Sequence, residues 1–212
     1  PARDLAPALK KIIVEHHPAL PEKKMPEFLN KLENYQGSKF TIIALKLIHL
    51  TALRPKELRL GRWEEIGLSK DNPEWRIPGE RMKIKVDKEH IVPLSRQAVG
   101  LLKDLRSMSG QGELLFTGRN NPARPISENT MNKAIAKMGY KGLHCSHGSR
   151  TVFSTISNES ELWSEDAIEL QLDHKIKDKI RAAYSRGLYL NQRRKLMQWY
   201  ADYLDELKLK GK

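Results

Sequence analysis

Residues 144–184 read HCSHGSRTVFSTISNESELWSEDAIELQLDHKIKDKIRAAY and hold most of the side chains that could handle a phosphate. His147 and Arg150 stand three residues apart, so on a helical turn they face the same way. His174 follows, and Tyr184 comes ten residues later in the apolar segment IRAAY. These four side chains combine a cation, two proton carriers and a nucleophile, which is a set suited to phosphodiester chemistry.

Two further cations lie upstream. Arg54 in TALRPKEL precedes a proline, which disfavours the α region for the residue before it, so we expect Arg54 outside a helix and at the entrance of the next one. Lys83 lies in RMKIK, where alternation places Lys83 and Lys85 on the same outer face of a strand. Two guanidinium forks match the charge of a phosphoryl group under attack, and a lysine can move protons.

Each of these residues also has a simpler explanation when it is taken alone. Arg54 could pair with Glu57 on the surface, strand lysines are usually solvated, and Tyr184 could be a core tyrosine with a satisfied hydroxyl. Tyr189 is a rival nucleophile in the same segment. Lys133 and Lys137 are four apart and share a helix face that could hold DNA phosphates, although a solvated basic face explains them equally well.

Composition points to a polyanionic partner. The 212 residues carry 38 Lys and Arg against 26 Asp and Glu, a formal net charge of +12. The single cysteine excludes an intrachain disulfide and a cysteine-rich zinc site, and it favours a reducing cytosol. No apolar run approaches the roughly 18 residues of a membrane helix. The chain does not begin with methionine, so we expect it to be part of a longer protein.

Periodicity predicts several helices and a small sheet. Residues 1–24 are interpreted as a linker from a missing N-terminal region, and 25–212 as one domain with an amphipathic tail helix. The predicted helices start near Met25, Ser38, Pro55, Ser95, Ser127, His147, Ser164 and Leu190. The predicted strands are 74–78, 81–85 and 90–93, and residues 117–126 are predicted to form a polar loop.

The order Arg, Lys, H-x-x-R, His, Tyr resembles the tyrosine recombinases of the phage integrase family. The strings TALRPKELRLGRW, RIPGERMK, HIVPLSRQA, HGSRTVFST, LDH, IRAAYSRGLYL and QRRKLMQWYADYLD look like integrases of satellite phages and pathogenicity islands. The resemblance covers about residues 30–207 and implies the catalytic-domain fold of this family. That fold is α+β, mostly α, with a small three-stranded antiparallel sheet.

The resemblance also implies roles for residues that match the family's motifs. The implied catalytic set is Arg54, Lys83 as general acid, His147, Arg150, His174 and the nucleophile Tyr184, with Glu57 as the acidic partner of Arg54. Lys85 stays an alternative to Lys83. Three positions depart from the family pattern: Ala52 replaces glycine, Ser149 a large apolar residue, and Asp173 a small one. Asp173 either puts a carboxylate beside the phosphate pocket or turns away to orient His174.

The function implied by the resemblance is site-specific DNA recombination, the integration or excision of a mobile element through a 3′-phosphotyrosine intermediate. It implies no metal and no cofactor. The expected partners are double-stranded DNA attachment sites and three further copies in a homotetramer on DNA, with a monomer as the isolated chain. The expected location is the bacterial cytoplasm, at the nucleoid and not at a membrane. The tail helix could dock on its own domain or on a neighbouring copy.

Two other functions stay open. A type IB topoisomerase, which relaxes DNA, uses the same set of residues, and a basic DNA-binding module needs no catalysis. A metal-dependent nuclease is disfavoured because no tight cluster of Asp and Glu appears.

Overall fold

The computed structural model describes residues 17–69, 71–82, 89–109, 112–174 and 189–211. Within these ranges the chain is mostly helical and carries two small antiparallel sheets. The helices α1 to α8 are Met25–Glu33, Lys39–Thr51, Pro55–Arg59, Arg96–Ser109, Thr130–Ile135, Gly148–Glu159, Glu165–Gln171 and Leu190–Lys210. The strands β1 to β5 are Ile66–Gly67, Glu74–Ile77, His90–Pro93, Thr117–Gly118 and Asn121–Pro125.

Helix α2 is the centre of the domain. Nine of its 13 residues are buried, as its nearly continuous apolar sequence predicts. Helices α1, α3, α4, α5, α6 and α8 all contact it. It ends at Ala52, which takes a left-handed conformation with φ 54°. The direction of the chain after α2 is therefore set just before Arg54.

The first sheet has the order β1-β2-β3, with Trp75 paired to Ile66 on one side and to Val92 on the other. Trp75, Ile77 and Val92 are fully buried, so one face of this sheet belongs to the core. Three antiparallel strands were expected, and the strands predicted at 74–78 and 90–93 are confirmed.

The prediction of the third strand was wrong in its position. The strand predicted over 81–85 is wrong at its start, because Gly79–Arg81 forms a 3₁₀ turn. The Arg81 side chain turns back to the carbonyl of Leu60 at 2.7 Å and to Glu65 at 2.6 Å. The remaining strand is β1, whose two residues are too short to show an alternating pattern. Residues 83–88 lie outside the described residues.

Two further predictions need correction. The predicted loop 117–126 contains the β4–β5 hairpin, in which Thr117 pairs with Pro125. Strand β5 is almost wholly exposed, so its sequence lacks the alternation that marks a half-buried strand. The helix expected from Ser127 begins at Thr130 instead and passes into a π-helical turn at Ala136–Tyr140.

Helix α8 packs back on its own domain, against α1, α7 and α2. Its buried stripe consists of Arg193, Leu196, Met197, Tyr200, Ala201, Leu204 and Leu207. The ring of Tyr200 meets that of Phe153 edge-on, with centroids 4.9 Å apart. In this single chain the tail helix docks on its own domain. No helix in the described ranges is long and apolar enough to span a membrane.

A buried histidine pair joins α2 to the segment before α6. The Nε2 atoms of His49 and His144 are 3.1 Å apart, His49 Nδ1 meets the carbonyl of Leu45 at 2.7 Å, and the backbone N–H of Leu20 donates to His144 Nδ1 at 3.3 Å. Burial lowers the pKa of His49 to about 4 and that of His144 to about 3. Residues 1–16 lie outside the described residues, so the boundary at residue 25 stays a prediction, but Leu20 already packs into the core.

Candidate active site

Arg54 stands where the sequence predicts, between two helices. Pro55 keeps it out of α2, and its backbone is extended with φ −69° and ψ 142°. Arg54 is the N-cap of α3, and its backbone N–H donates to Glu57 Oε2 at 3.0 Å. This capping contact with a buried carboxylate fixes the start of the arginine side chain.

The guanidinium of Arg54 binds two carboxylates. Nη1 donates to Glu57 Oε1 at 2.8 Å and to Asp173 Oδ2 at 2.7 Å, and Nη2 donates to the carbonyl of Asp173 at 3.2 Å. Burial acts to lower the pKa of Arg54, but the hydrogen bonds and charges of Glu57 and Asp173 outweigh it, and the pKa is raised. The predicted pair with Glu57 is therefore present, but it is a partly buried pair and part of a larger cluster.

Arg150 lies in the first turn of α6 and is only 6% exposed. Its Nη1 donates to the carbonyl of Ala52 at 2.7 Å, and its Nη2 donates to the carbonyl of Leu172 at 2.5 Å. These partners are neutral. Burial, followed by the charge of Arg54, lowers the pKa of Arg150 to about 10, so the side chain stays charged at neutral pH.

The two arginines meet at one backbone carbonyl. Leu172 accepts from Arg150 at 2.5 Å and lies 3.5 Å from Nη2 of Arg54. Two cations so close together repel each other, which the lowered pKa of Arg150 reflects. An anion at their solvent edge would relieve this repulsion, and a phosphate matches the donors in shape and charge.

His174 completes this cluster. Its Nε2 lies 3.1 Å from Arg150 Nη2, and its Nδ1 lies 2.8 Å from Glu169 Oε2. Because an arginine can only donate, we assign Nε2 as the acceptor and place the proton on Nδ1, facing Glu169. The side chain is 46% exposed, so a substrate can reach the ring.

Asp173, which replaces the small residue of the family pattern, has a defined orientation. The residue takes a left-handed conformation with φ 53°, and its carboxylate faces Arg54. Of the two expected orientations, the observed one places the carboxylate against Arg54 and not against His174. His174 is oriented by Glu169. The departure at Ser149 is structural, because its buried hydroxyl donates to the carbonyl of Ser146 at 2.8 Å.

The remaining predicted residues lie at the start of α6, on or just after α5, just before α8 or outside the described part of the chain. His147 is the N-cap of α6, one turn before Arg150, and its ring lies 4.3 Å from that of His17. Lys133 and Lys137 are both exposed. Tyr189, the rival nucleophile, donates its hydroxyl to Asp166 at 3.0 Å. Lys83, Lys85 and Tyr184 all lie outside the described residues.

Four residues near the cluster were not predicted from the sequence: Glu169, Gln171, Arg193 and His90. His90 is buried at the start of β3. Burial and then the charges of Arg193, Arg150 and Arg54 hold the pKa of His90 well below its usual value. His90 and Arg193 lie in the strings HIVPLSRQA and QRRKLMQWYADYLD, which carry the family resemblance, but no pattern in the sequence shows that any of the four lies close to the arginines. Among the described residues, no group of three or more His, Cys, Asp or Glu side chains is arranged to hold a metal ion.

Residues 18–189 match the model of the phage integrase family. The integrase of Enterobacteria phage P4 is 47% identical over 97% of this chain, and the integrase of Shigella phage Sf6 is 42% identical over 97%. The chain covers 49% and 52% of those two proteins, so it spans about half the length of these curated relatives.

Solved structures of recombinases share the fold. The XerH site-specific recombinase bound to difH has a TM-score of 0.59 and 17% identity over 85% of this chain and 57% of that chain. A lambda integrase tetramer bound to a Holliday junction has a TM-score of 0.57 and 15% identity over 84% of this chain and 51% of that chain. These matches confirm the mostly helical fold of a tyrosine recombinase catalytic domain. Together with the family match over most of its length and relatives above 40% identity, they show that the chain belongs to the phage integrase family.

Proposed function

We propose that this chain is the catalytic domain of a tyrosine recombinase that integrates or excises a mobile element. The observation that carries the proposal is the meeting of Arg54 and Arg150 at the carbonyl of Leu172, with His174 beside them. Family membership supports the same reading.

In the proposed reaction, the Tyr184 hydroxyl oxygen attacks the scissile DNA phosphorus in line, and a nearby histidine or lysine takes the phenolic proton. A bond forms between this oxygen and phosphorus, the bond from phosphorus to the 5′ oxygen breaks, and Lys83 gives a proton to the departing 5′ oxygen. The product is a 3′-phosphotyrosine, which conserves the bond energy. A 5′ hydroxyl of the partner strand then attacks this phosphorus, the tyrosine leaves, and the strands are rejoined. The roles of Tyr184 and Lys83, with Lys85 as alternative, rest on the family resemblance.

The two arginines stabilise the negative charge that develops on the non-bridging oxygens of the phosphate in the transition state. Arg150 is held by backbone carbonyls and so is oriented before DNA arrives. Arg54 keeps its contact with Glu57 and turns its second contact from Asp173 to the phosphate. In this scheme the Nε2 atom of His174 gives up its contact with Arg150 and, carrying a proton, donates to the same phosphate, because a phosphate oxygen can only accept. His147 assists proton transfer. The reaction needs no metal and no cofactor in this scheme, because side-chain cations supply the positive charge.

The proposed partner is double-stranded DNA carrying an attachment site. The net charge of +12 supports a phosphate-rich partner, and the exposed Lys133 and Lys137 would contact its backbone. A homotetramer on DNA is proposed by analogy with the lambda integrase tetramer bound to a Holliday junction. The proposed location is the bacterial cytoplasm, at the nucleoid. DNA binding by this chain should weaken steeply as salt rises.

Covalent trapping tests the proposal. The chain is incubated with nicked suicide duplexes tiled across the DNA that borders the encoding gene, and adducts are read on a denaturing gel. We expect an adduct with the unaltered chain and none with Tyr184→Phe. The matched control is Tyr189→Phe, whose hydroxyl is bound to Asp166 and which should still form the adduct.

The same assay separates the proposal from a basic DNA-binding module. A chain that shifts DNA on a native gel but forms no adduct with any duplex would be such a module. An adduct that persists in Tyr184→Phe would show that the assigned nucleophile is wrong.

A further inference from the structure

A buried cation from the tail helix lies behind the arginine pair. Arg193 is in the first turn of α8, beyond residue 189, where the family match ends. It is 8% exposed, and burial lowers its pKa to about 10. Taking a cation out of water costs several kcal/mol, so its partners must be well placed.

Two nitrogen atoms of Arg193 donate hydrogen bonds to the side-chain oxygen of Gln171. Its Nε and Nη2 donate to Gln171 Oε1 at 3.1 and 2.9 Å, and Nη2 also donates to the carbonyl of Ile91 in β3 at 2.5 Å. Because the amide oxygen faces Arg193, the amide nitrogen must face the other way. There it donates to the carbonyl of Thr51 at 3.0 Å, at the end of α2. Arg193 therefore sets which way the Gln171 amide points.

Gln171 joins the two backbone segments that hold Arg150. Thr51 is followed by Ala52, whose carbonyl accepts from Arg150 Nη1. Gln171 is followed by Leu172, whose carbonyl accepts from Arg150 Nη2. The spacing between these two carbonyls determines where the guanidinium lies, and the Gln171 amide bridges the residues just before them.

The electrostatics of His90 support this placement. Three arginines, Arg193, Arg150 and Arg54, all lower the pKa of this buried imidazole. Arg193 therefore lies close enough to act on the same region as the two arginines of the site. Its guanidinium is directed at neutral oxygens, as that of Arg150 is.

We infer that Arg193 is a positioning residue of the phosphate site, and that it acts through Gln171 to fix Arg150, whose Nη2 contacts His174. The inference rests on the proposed function. It also gives α8 a role in the reaction, since this helix would complete the site in cis from outside the matched family region.

The test compares Arg193→Met with Arg194→Met. Methionine fills much of the arginine's volume without charge, and replacing a buried charge by an apolar side chain is often tolerated by the fold. Arg194 is the matched control, because it is the next residue of α8 and pairs with Glu74 at 2.5 Å. At saturating suicide duplex, we expect the adduct rate of Arg193→Met to fall about tenfold while its DNA affinity stays within about twofold. Arg194→Met should keep both within about twofold.

A second variant separates positioning from simple anchoring of α8. Gln171→Glu gives Arg193 a charged partner and so keeps the helix attached, but it removes the N–H that binds Thr51. Positioning predicts a slow adduct rate with an unchanged or raised melting temperature. A normal rate in Gln171→Glu would overturn the inference. Arg193→Lys should recover only part of the rate, because an ammonium cannot reproduce the two-atom grip on the amide oxygen.

The outcomes for the proposed function and for this inference are distinguishable. If the unaltered chain forms adduct and Arg193→Met forms it at the same rate, only the inference fails. If Arg193→Met loses affinity, rate and melting temperature together, Arg193 maintains the fold as a whole and the inference is overturned. If the unaltered chain forms no adduct with any duplex, the proposed function fails and the inference fails with it.

Discussion

The same two stretches of chain, 49–54 and 144–150, build two polar pairs of opposite character. His49 and His144 form the first pair, inside the core. Arg54 and Arg150 form the second pair, which is largely buried but borders the half-exposed ring of His174. The two pairs are separated by five residues in one stretch and by six in the other, yet the first pair is neutral and the second is charged.

The ring nitrogens of the histidine pair have all their hydrogen-bond partners within the protein. A single line of hydrogen bonds runs from the N–H of Leu20 through His144 and His49 to the carbonyl of Leu45, and each ring has one donor and one acceptor in use. Nothing in this arrangement calls for a ligand. It is a structural joint between α2 and the segment before α6.

The charges of the arginine pair are not both balanced by contacts within the protein. Arg54 is neutralised by carboxylates, but Arg150 is bound by neutral carbonyls and keeps its full charge. The comparison shows that polar residues alone do not mark a site. Uncompensated charge at a solvent-reachable edge does, and four experiments can break or sharpen this distinction.

The largest effect is expected from Arg150→Lys. Lysine cannot reach both carbonyls and a phosphate with one ammonium, so the adduct rate should fall about 10²–10³-fold, the usual cost of losing one transition-state donor. The control is Arg59→Lys, at a site where the guanidinium donates only to the carbonyl of Ile126 among its described contacts. That variant should stay within about threefold of the unaltered rate. An equal loss in both would mean that changing either of these buried or partly buried arginines damages the domain as a whole.

The histidine pair predicts a pH dependence of stability. The pKa values of His49 and His144 are lowered in the folded state to about 4 and 3, below the ordinary 6.5 of the unfolded chain. The unfolded state therefore binds more protons, so the stabilisation is complete above pH 6.5 and is lost as the pH falls towards 4. For His49 alone the loss is roughly 3 kcal/mol. Urea unfolding between pH 7 and pH 4 measures it.

The matched variants for this pH experiment are His49→Gln and Phe28→Leu. Gln cannot take up a proton in this range, so the first variant should lose the share of the pH dependence that comes from His49 and keep that of His144. Phe28 packs against both imidazoles, at 5.1 Å from His49 and 5.0 Å from His144. Phe28→Leu should lower stability at every pH and keep the slope. An unchanged slope in His49→Gln would contradict the account of the neutral pair.

A smaller effect is expected from Glu169→Gln. The carboxylate of Glu169 accepts from His174 Nδ1, and a glutamine could present a donor there and reverse the ring's protonation. We expect the adduct rate to fall about tenfold and its pH profile to shift. The control is Glu165→Gln, an exposed position in the first turn of α7. A loss of rate without a change in the pH profile would assign Glu169 to stability alone.

The smallest effect is expected at Asp173, and it has the opposite sign. Its half-exposed carboxylate competes with a phosphate for Arg54, and exposed ion pairs contribute about 0.2–1 kcal/mol. Asp173→Asn should therefore tighten DNA binding by about 1.5- to 5-fold in an anisotropy titration. Asp173→Gly should do the same and also raise the melting temperature, because φ 53° suits glycine. Weaker binding in both variants would show that Asp173 helps to hold the site open.

The contrast also explains what the sequence could and could not predict. Arg54 was placed correctly because one local cause, Pro55, decides its backbone conformation. Helices α2 and α8 were predictable because their apolar residues repeat over several turns. Strand β1 has two residues and β5 is exposed, so neither carries a pattern that burial would impose.

The hydrogen-bond partners of the polar side chains at the site were the least predictable from the sequence. Whether Asp173 faces Arg54 or His174 depends on its left-handed backbone, which no neighbouring residue dictates. The contact between Gln171 and Arg193 depends on where α8 docks, and the choice between cis and trans docking is a matter of tertiary packing. The order of motifs identified the family, but the distances between arginines and carbonyls came only from the fold.

A double-substitution cycle on the two arginines tests the central claim most directly. The adduct rate at saturating duplex is measured for the unaltered chain, for Arg54→Lys, for Arg150→Lys and for the chain carrying both changes. If both guanidiniums hold one phosphate, the double variant loses far less than the product of the two single losses, because residues that act as a unit are strongly non-additive. If the two losses simply multiply, as they do for independent sites, then Arg54 and Arg150 do not form a common phosphate site.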